Sequence, residues 1–211
     1  MASAGDRVRF EGVEGASEVF TQDFLDYMLA LHDEFNDRVQ EARRGRAALL
    51  EDALRNGKLP GPLPPSEATT TEWNVPDMPD ELRKPGIEIS GPASITPMFI
   101  NALNPTQEGN RAEGDLDDDE DSAGHRLVDT VRAAINRRDA LRGTLEMVDE
   151  ERGRRYQLQA GELPFFMHRE RGLHLDEPDF QIDGQPVSAT LLGTALTLFH
   201  AGQEHARQGK G

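Results

Sequence analysis

Apolar residues recur at helical spacing in the first quarter of the chain. Between Ser17 and Asn56 they stand mostly three or four positions apart, at Phe24, Tyr27, Met28, Leu31, Phe35, Val39, Ala42, Ala47, Leu50 and Leu54. This spacing places them on one face of an amphipathic helix. Thr21 is a suitable N-cap, and Asn56-Gly57 is a typical helix end. The pattern predicts either one bent helix or a helical hairpin over these residues.

The second half of the chain changes to short strands that alternate with helices. Strands are predicted at Ile87–Ile89, Leu163–His168 and Phe180–Ile182, and Asp183-Gly184 predicts a turn after the last of them. Helices are predicted at Pro97–Leu103, at His125–Arg142 and from Ser188 until the chain frays at Gly209–Gly211. A β-hairpin is predicted for Thr144–Val148 with Arg155–Leu158. This alternation indicates the α/β class.

A turn-rich stretch separates the helical first part from the first of these strands. Leu59–Pro65 holds four prolines and a glycine, which neither a helix nor a central strand accommodates. Trp73, the only tryptophan, follows in the same stretch, and we expect it to pack this loop onto a core.

The segment from Pro105 to Ala123 is strongly acidic. Six carboxylates lie between Asp115 and Asp121, and Leu116 is the only large apolar residue among them. Carboxylates at this density repel one another, so a solvated loop is predicted. Asp115, Asp117 and Asp119 imitate the first three ligands of a calcium loop. That reading fails because Glu120 replaces the required glycine and Arg126 replaces the closing glutamate.

Composition narrows the possible functions. The 211 residues carry a formal net charge of −16 at pH 7, which disfavours a nucleic-acid partner because like charges repel. The chain has no cysteine, which excludes disulfides, thiolate metal sites and a cysteine nucleophile. The first residues lack the features of a signal peptide, and no apolar run approaches the ~18 residues of a membrane-spanning helix. We expect a cytoplasmic protein that does not contact membranes.

Two arginines stand at the predicted end of the strand that contains Phe166. Arg169 and Arg171 are two positions apart, so on a strand both guanidinium groups would leave the same face and arrive together at its carboxyl end, just before Gly172. Such a pair suits a carboxylate, a phosphate or a developing enolate. The alternative is an ordinary strand-end arginine that pairs with a surface carboxylate.

An ordered set of short blocks resembles malate synthases of the shorter, A-type class. The blocks are Ile87-Glu-Ile-Ser-Gly-Pro92, Ile100-Asn-Ala-Leu-Asn104, Glu120-Asp-Ser122, Ile135-Asn-Arg-Arg-Asp-Ala140, Arg169-Glu-Arg-Gly-Leu-His174, Asp183-Gly-Gln-Pro-Val-Ser188 and Leu198-Phe-His200. Each block alone is weak evidence, whereas the set in family order and near family spacing is specific. The resemblance is densest from Ile87 to Gly211.

The resemblance implies a fold and a reaction. Residues 1–85 would form an N-terminal helical clasp with a Pro-rich linker, and residues 86–211 the first part of a (β/α)8 TIM barrel, with an inserted β-hairpin and an acidic loop at 104–123. Malate synthases condense acetyl-CoA with glyoxylate to give malate and CoA in the glyoxylate bypass, using Mg²⁺. This chain would be incomplete and inactive alone, and a complementary C-terminal half is the implied partner.

The resemblance also assigns roles to individual residues. Arg169 would be the catalytic arginine, with Arg171 and His174 in supporting, anion-binding roles. Asp118, Glu120 and Asp121 would hydrogen-bond water on Mg²⁺, whose direct ligands would lie beyond Gly211. In the family an apolar strand precedes the Glu-Asp-Ser block, but here Asn110–Asp119 takes its place, and we expect so acidic a stretch to be unable to line a barrel core. The alternative is a non-catalytic acidic module that binds a protein partner through the clasp or through Asp115–Asp121.

Overall fold

The computed structural model describes residues 4–58, 61–78, 80–83 and 86–208. The helices are α1 Ala4–Arg7, α2 Ala16–Val19, α3 Gln22–Asn56, α4 Glu67–Thr70, α5 Thr96–Leu103, α6 Leu127–Arg142, α7 Ala189–Leu196 and α8 Gln203–Arg207. A 3₁₀ turn spans Asp80–Arg83 and a π-helical turn spans Thr197–Gly202. The strands are β1 Val8–Phe10, β2 Glu88–Gly91, β3 Gly114–Asp118, β4 Glu146–Asp149, β5 Arg154–Gln157, β6 Phe165–Arg169, β7 Asp176–Ile182 and β8 Gln185–Ser188. The predicted fraying at Gly209–Gly211 and the first residues of the Leu59–Pro65 stretch, 59 and 60, lie outside the described residues.

Helix α3 is a single helix of 35 residues, so the helical-hairpin alternative is wrong. The Thr21 side chain accepts a hydrogen bond from the Phe24 N–H at 3.3 Å, and Gly57 ends the helix with φ 61°, a left-handed conformation that favours glycine. Only the first part is well packed, with Phe24 and Leu29 buried. The last two turns are poorly packed, and Leu54 there is 78% exposed.

Three parallel strands form the sheet that carries the predicted arginine. Their order is β2–β3–β6, with β3 in the middle. The hairpin β4–β5 also forms as predicted. These elements confirm the mixed α/β class. The described residues contain no closed barrel, and the (β/α)8 architecture stays a prediction.

A second, antiparallel sheet joins the start of the chain to its last third. Its order is β1–β7–β8, and Val8 lies opposite Ile182. The turn between β7 and β8 is the predicted one: Asp183 has φ 52° and Gly184 has φ 76°, the two positive angles of a tight hairpin turn. The pairing of β1 with β7 was not predicted, because a three-residue strand contains no local signal that identifies a partner strand so distant in sequence.

The larger of two apolar cores combines early and late parts of the sequence. Phe20, Phe24 and Met28 pack there with Phe180, Leu192 and their neighbours. A smaller core under the parallel sheet contains Phe99, Ile100, Leu103 and Leu145. The expected division between residues 85 and 86 stays a prediction, and residues from both sides of it share the larger core.

Two expectations about loops are wrong. Gly114–Asp118 of the predicted 104–123 loop is the central strand β3, and Asp115, Asp117 and Asp118 are buried. Most of these carboxylates can be buried because arginine, histidine and backbone N–H groups from elsewhere in the chain pair with them. Trp73 does not pack onto a core: it is 65% exposed, and its indole N–H bonds the Ala68 carbonyl oxygen at 2.7 Å. Among the described residues, no helix combines the length and apolar composition needed to cross a bilayer.

The uneven packing of α3 predicts that one substitution has very different effects at two positions. Leu29→Ala removes a buried side chain from the larger core and should lower the free energy of unfolding by about 2–5 kcal/mol. Leu54→Ala on the same helix is the matched control and should change it by less than about 0.5 kcal/mol. Chemical denaturation of both variants measures the difference, and equal effects would contradict the described packing.

Candidate functional site

Arg169 ends β6 directly beside the end of β3. The two strands are parallel and in register, with Asp118 opposite Arg169. The guanidinium donates from Nε to Asp118 Oδ1 at 2.8 Å and from Nη2 to Asp118 Oδ2 at 2.6 Å, a bidentate pair. Nη2 also donates to Asp121 Oδ2 at 2.5 Å. The Arg169 side chain remains 41% exposed, so a small anion can reach it.

Asp118 is held in place by hydrogen bonds to both of its carboxylate oxygens. Its two oxygens accept five hydrogen bonds: two from Arg169, one each from the backbone N–H groups of Glu120 and Asp121, and one from the Ser122 hydroxyl. The hydrogen bonds from Arg169 are the main reason that the pKa of Asp118 lies well below its usual value. Asp118 is therefore ionised and holds the guanidinium at the ends of the strands.

Other predicted residues gather around the same guanidinium. The Glu120 carboxylate lies 4.0 Å from Arg169 Nε, and Asp121 is 72% exposed. A Cβ atom added at Gly172 would stand 2.7 Å from the His174 ring and 2.8 Å from Glu120 Oε1, so the glycine permits their close approach. Three carboxylates around one arginine leave this group with a formal excess of negative charge.

The helical first part of the chain holds the loop that follows Arg169. Arg43, on α3, donates to the carbonyl oxygens of Leu173 and Leu175, at 2.5 and 2.9 Å, and to Asp176 Oδ1 at 2.8 Å. The loop that contains His174 is thus attached to the long helix.

Arg171 does not lie beside Arg169, and the expectation that both guanidiniums arrive together is wrong. Strand β6 ends at Arg169, so the two-residue alternation of a strand no longer applies at Arg171. Its Nη1 donates to Glu177 Oε2 at 2.9 Å, and both side chains are buried. Its role in binding substrate stays a prediction.

Sequence reasoning missed a second charged group on the other face of the same sheet. Arg137 on α6 is buried between Asp117 and Asp119: its Nε bonds Asp117, and its Nη2 donates to Asp119 Oδ2 at 2.5 Å. His168 Nδ1 lies 3.1 Å from Asp117 Oδ2, and His168 Nε2 lies 3.3 Å from Glu170 Oε2. The available signal was the spacing of two between Asp115, Asp117 and Asp119 and between His168 and Glu170, in segments that run along β3 and β6 and one residue past each.

The environment of this group shifts several pKa values. Burial alone would raise the pKa of Asp117. The charge of Arg137 and hydrogen bonds from His168 and Arg137 outweigh this effect and lower the pKa to about 2. For His168, burial and Arg137 lower the pKa, but hydrogen bonds to Asp117 and Glu170 raise it to about 9. The pKa of Asp119 is raised, because the effect of burial exceeds the lowering effect of the Arg137 charge. Burial, followed by the charge of Asp117, raises the pKa of Asp115 to about 7.

A cavity of about 220 Å³ opens beside this second group. Its lining is mostly apolar and includes Phe166, Leu198 and His205, while His168 and Arg137 contribute the polar part. His168 is the most exposed member of the group, with 21% of its side chain accessible to solvent.

The chain is similar in sequence to several curated proteins that are named malate synthase. The chain is 34% identical over 196 residues to the malate synthase of Myxococcus xanthus (strain DK1622), covering 92% of this chain and 35% of that protein. It is 33% identical over 198 residues to the glyoxysomal malate synthase of Zea mays, and 34% identical over 200 residues to the malate synthase of Oryza sativa subsp. japonica. In both cases the match covers 92% of this chain and 33% of the relative.

The predicted resemblance is confirmed. Homology extends over 92% of the chain, and the match is consistent with an N-terminal portion of a malate synthase. The chain spans about a third of the length of the curated relatives it matches. No model of a known protein family matches it.

Asp115 predicts a pH-dependent gain in stability on substitution. Its folded pKa of about 7 lies above its usual value of 3.8, so its contribution to stability is complete below pH 3.8 and is lost as the pH rises through 7. Asp115→Asn cannot ionise, so between pH 5 and pH 8 it should gain on the order of 2 kcal/mol relative to the unsubstituted protein.

The measurement is urea denaturation of both proteins at the two pH values. His168 titrates in both proteins, and its effect largely cancels in the difference. Asp121→Asn, at a 72% exposed carboxylate, is the control and should show no comparable gain with pH. A constant difference between Asp115→Asn and the unsubstituted protein would contradict a raised pKa.

Proposed function

We propose that this chain is the N-terminal portion of a malate synthase-like enzyme, which condenses acetyl-CoA with glyoxylate to give malate and CoA. The observation that carries the proposal is the position of Arg169 at the adjacent ends of two parallel strands, on a chain homologous to malate synthases over 92% of its length. Barrel enzymes place their catalytic residues at strand ends of this kind.

In this proposal Arg169 stabilises negative charge on the substrates. Its guanidinium binds the carboxylate of glyoxylate and stabilises the negative charge that develops on the acetyl oxygen when a methyl proton is removed. The resulting carbon attacks the aldehyde carbon of glyoxylate, and water then cleaves the thioester to release CoA. Asp118 is a positioning residue, because its bidentate pair fixes the plane of the guanidinium.

The residues around Arg169 fit a hydrated Mg²⁺ in part. Mg²⁺ prefers oxygen ligands and keeps several waters, and Glu120 and Asp121 offer carboxylate oxygens that are 29% and 72% exposed. Asp118 offers less, because its oxygens already accept five hydrogen bonds. When bound, Mg²⁺ would polarise the glyoxylate carbonyl and offset the excess negative charge that otherwise repels this anion. The direct ligands implied by the resemblance belong to residues beyond Gly211.

The wider architecture follows from the same proposal. Residues 86–211 form the first part of a (β/α)8 barrel, in which β2 and β6 would pair with further strands, and residues 1–85 form the clasp. A complementary C-terminal portion supplies the base and the metal ligands. We place the enzyme in the cytoplasm and in the glyoxylate bypass.

A chimera tests this function. The chain should replace the matching region of the Myxococcus xanthus relative, and CoA release should be followed with acetyl-CoA, glyoxylate and Mg²⁺. The chain alone should be inactive, and the chimera active. Arg169→Lys should lower CoA release by about 10²–10³-fold, because a lysine loses the bidentate geometry.

Arg155→Lys is the matched control. Arg155 lies on the β4–β5 hairpin with 60% of its side chain exposed, and this substitution should leave CoA release unchanged. A folded chimera without CoA release, or one in which Arg169→Lys is as active as the control, would overturn the proposal.

A second candidate is a non-catalytic module that binds a protein partner. The buried strand Gly114–Asp118 argues against the acidic segment as the contact surface, whereas the exposed Leu49, Leu50 and Leu54 on α3 favour the helical clasp. A binding module should be indifferent to Arg169→Ala, so a pull-down with that variant separates the two functions.

A further inference from the structure

Three potential metal ligands meet on the face of the parallel sheet that points away from Arg169. Asp119, His168 and Glu170 each offer one ligand atom, and these atoms lie within 4.8 Å of one another. Side chains alternate along a strand, so Asp117 on β3 and His168 on β6 both face away from Arg169. Asp119, one residue beyond β3, is on the same side as Asp117, because both bind Arg137. This group is thus separate from the proposed substrate site.

We infer that Asp119, His168 and Glu170 form a binding site for a divalent transition-metal ion of the zinc class. One imidazole nitrogen and two carboxylate oxygens are a donor set that such ions accept, with a fourth position open to water. Zinc-to-ligand distances of about 2.0–2.2 Å require the three donors to close in by roughly 1 Å, which side-chain rotation supplies.

The first independent observation is an unpaired oxygen. Asp119 is 4% exposed, and its Oδ2 accepts a hydrogen bond from Arg137. Its Oδ1 is buried and has no hydrogen-bond partner among the described residues. A buried carboxylate oxygen without a partner is costly, and a cation bound there would supply the missing interaction.

The second observation is the formal charge. Asp117, Asp119 and Glu170 bring three carboxylates, whereas Arg137 brings one positive charge. With the neutral imidazole that metal binding requires, these side chains have a formal charge of minus two in a largely buried position. A divalent cation neutralises this charge, whereas otherwise two protons must do so.

The surroundings already orient two of the three ligands. Asp117 Oδ2 lies 3.1 Å from His168 Nδ1, which fixes the ring and turns Nε2 toward Glu170; a carboxylate behind the histidine is the usual support of a metal-bound imidazole. The Glu170 carboxylate accepts a hydrogen bond from the Arg171 N–H at 2.9 Å. It also fills the space beside Gly193, where an added Cβ would stand 2.1 Å from it.

Binding of Co²⁺ to the full chain at pH 8 tests the inference. Visible absorption should show ligand-field bands that saturate at one Co²⁺ per chain and disappear when Zn²⁺ is added, whereas Mg²⁺ should not displace Co²⁺. Asp119→Asn and Glu170→Gln should each weaken binding by about 10–100-fold. Gly193→Ala should also weaken it, because the new methyl group displaces the Glu170 carboxylate.

Glu51→Gln on α3 and Glu146→Gln on the β4–β5 hairpin are the controls. They neutralise exposed carboxylates that belong to neither site, and they should leave Co²⁺ affinity unchanged. Absent bands, or bands weakened by the controls as much as by Glu170→Gln, would overturn the inference. If Asp119→Asn does not fold, the Nε2 chemical shift of His168 in the unsubstituted chain decides, because Zn²⁺ must move it. The metal site and the proposed reaction fail separately, since neither test uses the other's residues.

Discussion

Strand β3 stays buried because arginines pair with the carboxylates at its carboxyl end on both faces of the sheet. Arg137 pairs with Asp117 and Asp119 on the helix side, and Arg169 pairs with Asp118 on the other. An uncompensated charge in such a position costs several kcal/mol, so the central strand and the guanidiniums form one unit. The parallel sheet, and with it the position of Arg169, depends on these pairs.

The sheet divides its charged residues into two environments. On one side the guanidinium of Arg169 is partly exposed among carboxylates, which suits the proposed binding of glyoxylate and a cation. On the other side Arg137 is buried, and it lines a cavity together with Asp117 and the more exposed His168. One pair of neighbouring strands thus carries a partly exposed guanidinium on one face and a buried charged group on the other, because side chains alternate along each strand.

Local signals in the sequence predicted local structure well. Thr21, Gly57 and the Asp183-Gly184 turn act through the few residues around them, so the helix bounds and the hairpin could be inferred. Burial of Asp117 could not, because it depends on Arg137 and His168, which are distant in sequence. The position of Arg169 was predicted from its strand, whereas Arg171 was misplaced because the strand ends before it. Pairing of β1 with β7 has no local signal at all.

That last pairing has a consequence for biosynthesis. Phe20, Phe24 and Met28 emerge early from the ribosome, but their core partners on β7 and α7 follow about 150 residues later. At ordinary translation speeds the delay is roughly ten to thirty seconds. During that interval the nascent amphipathic helix exposes its aromatic face to solvent, and a chaperone able to cover it would prevent aggregation.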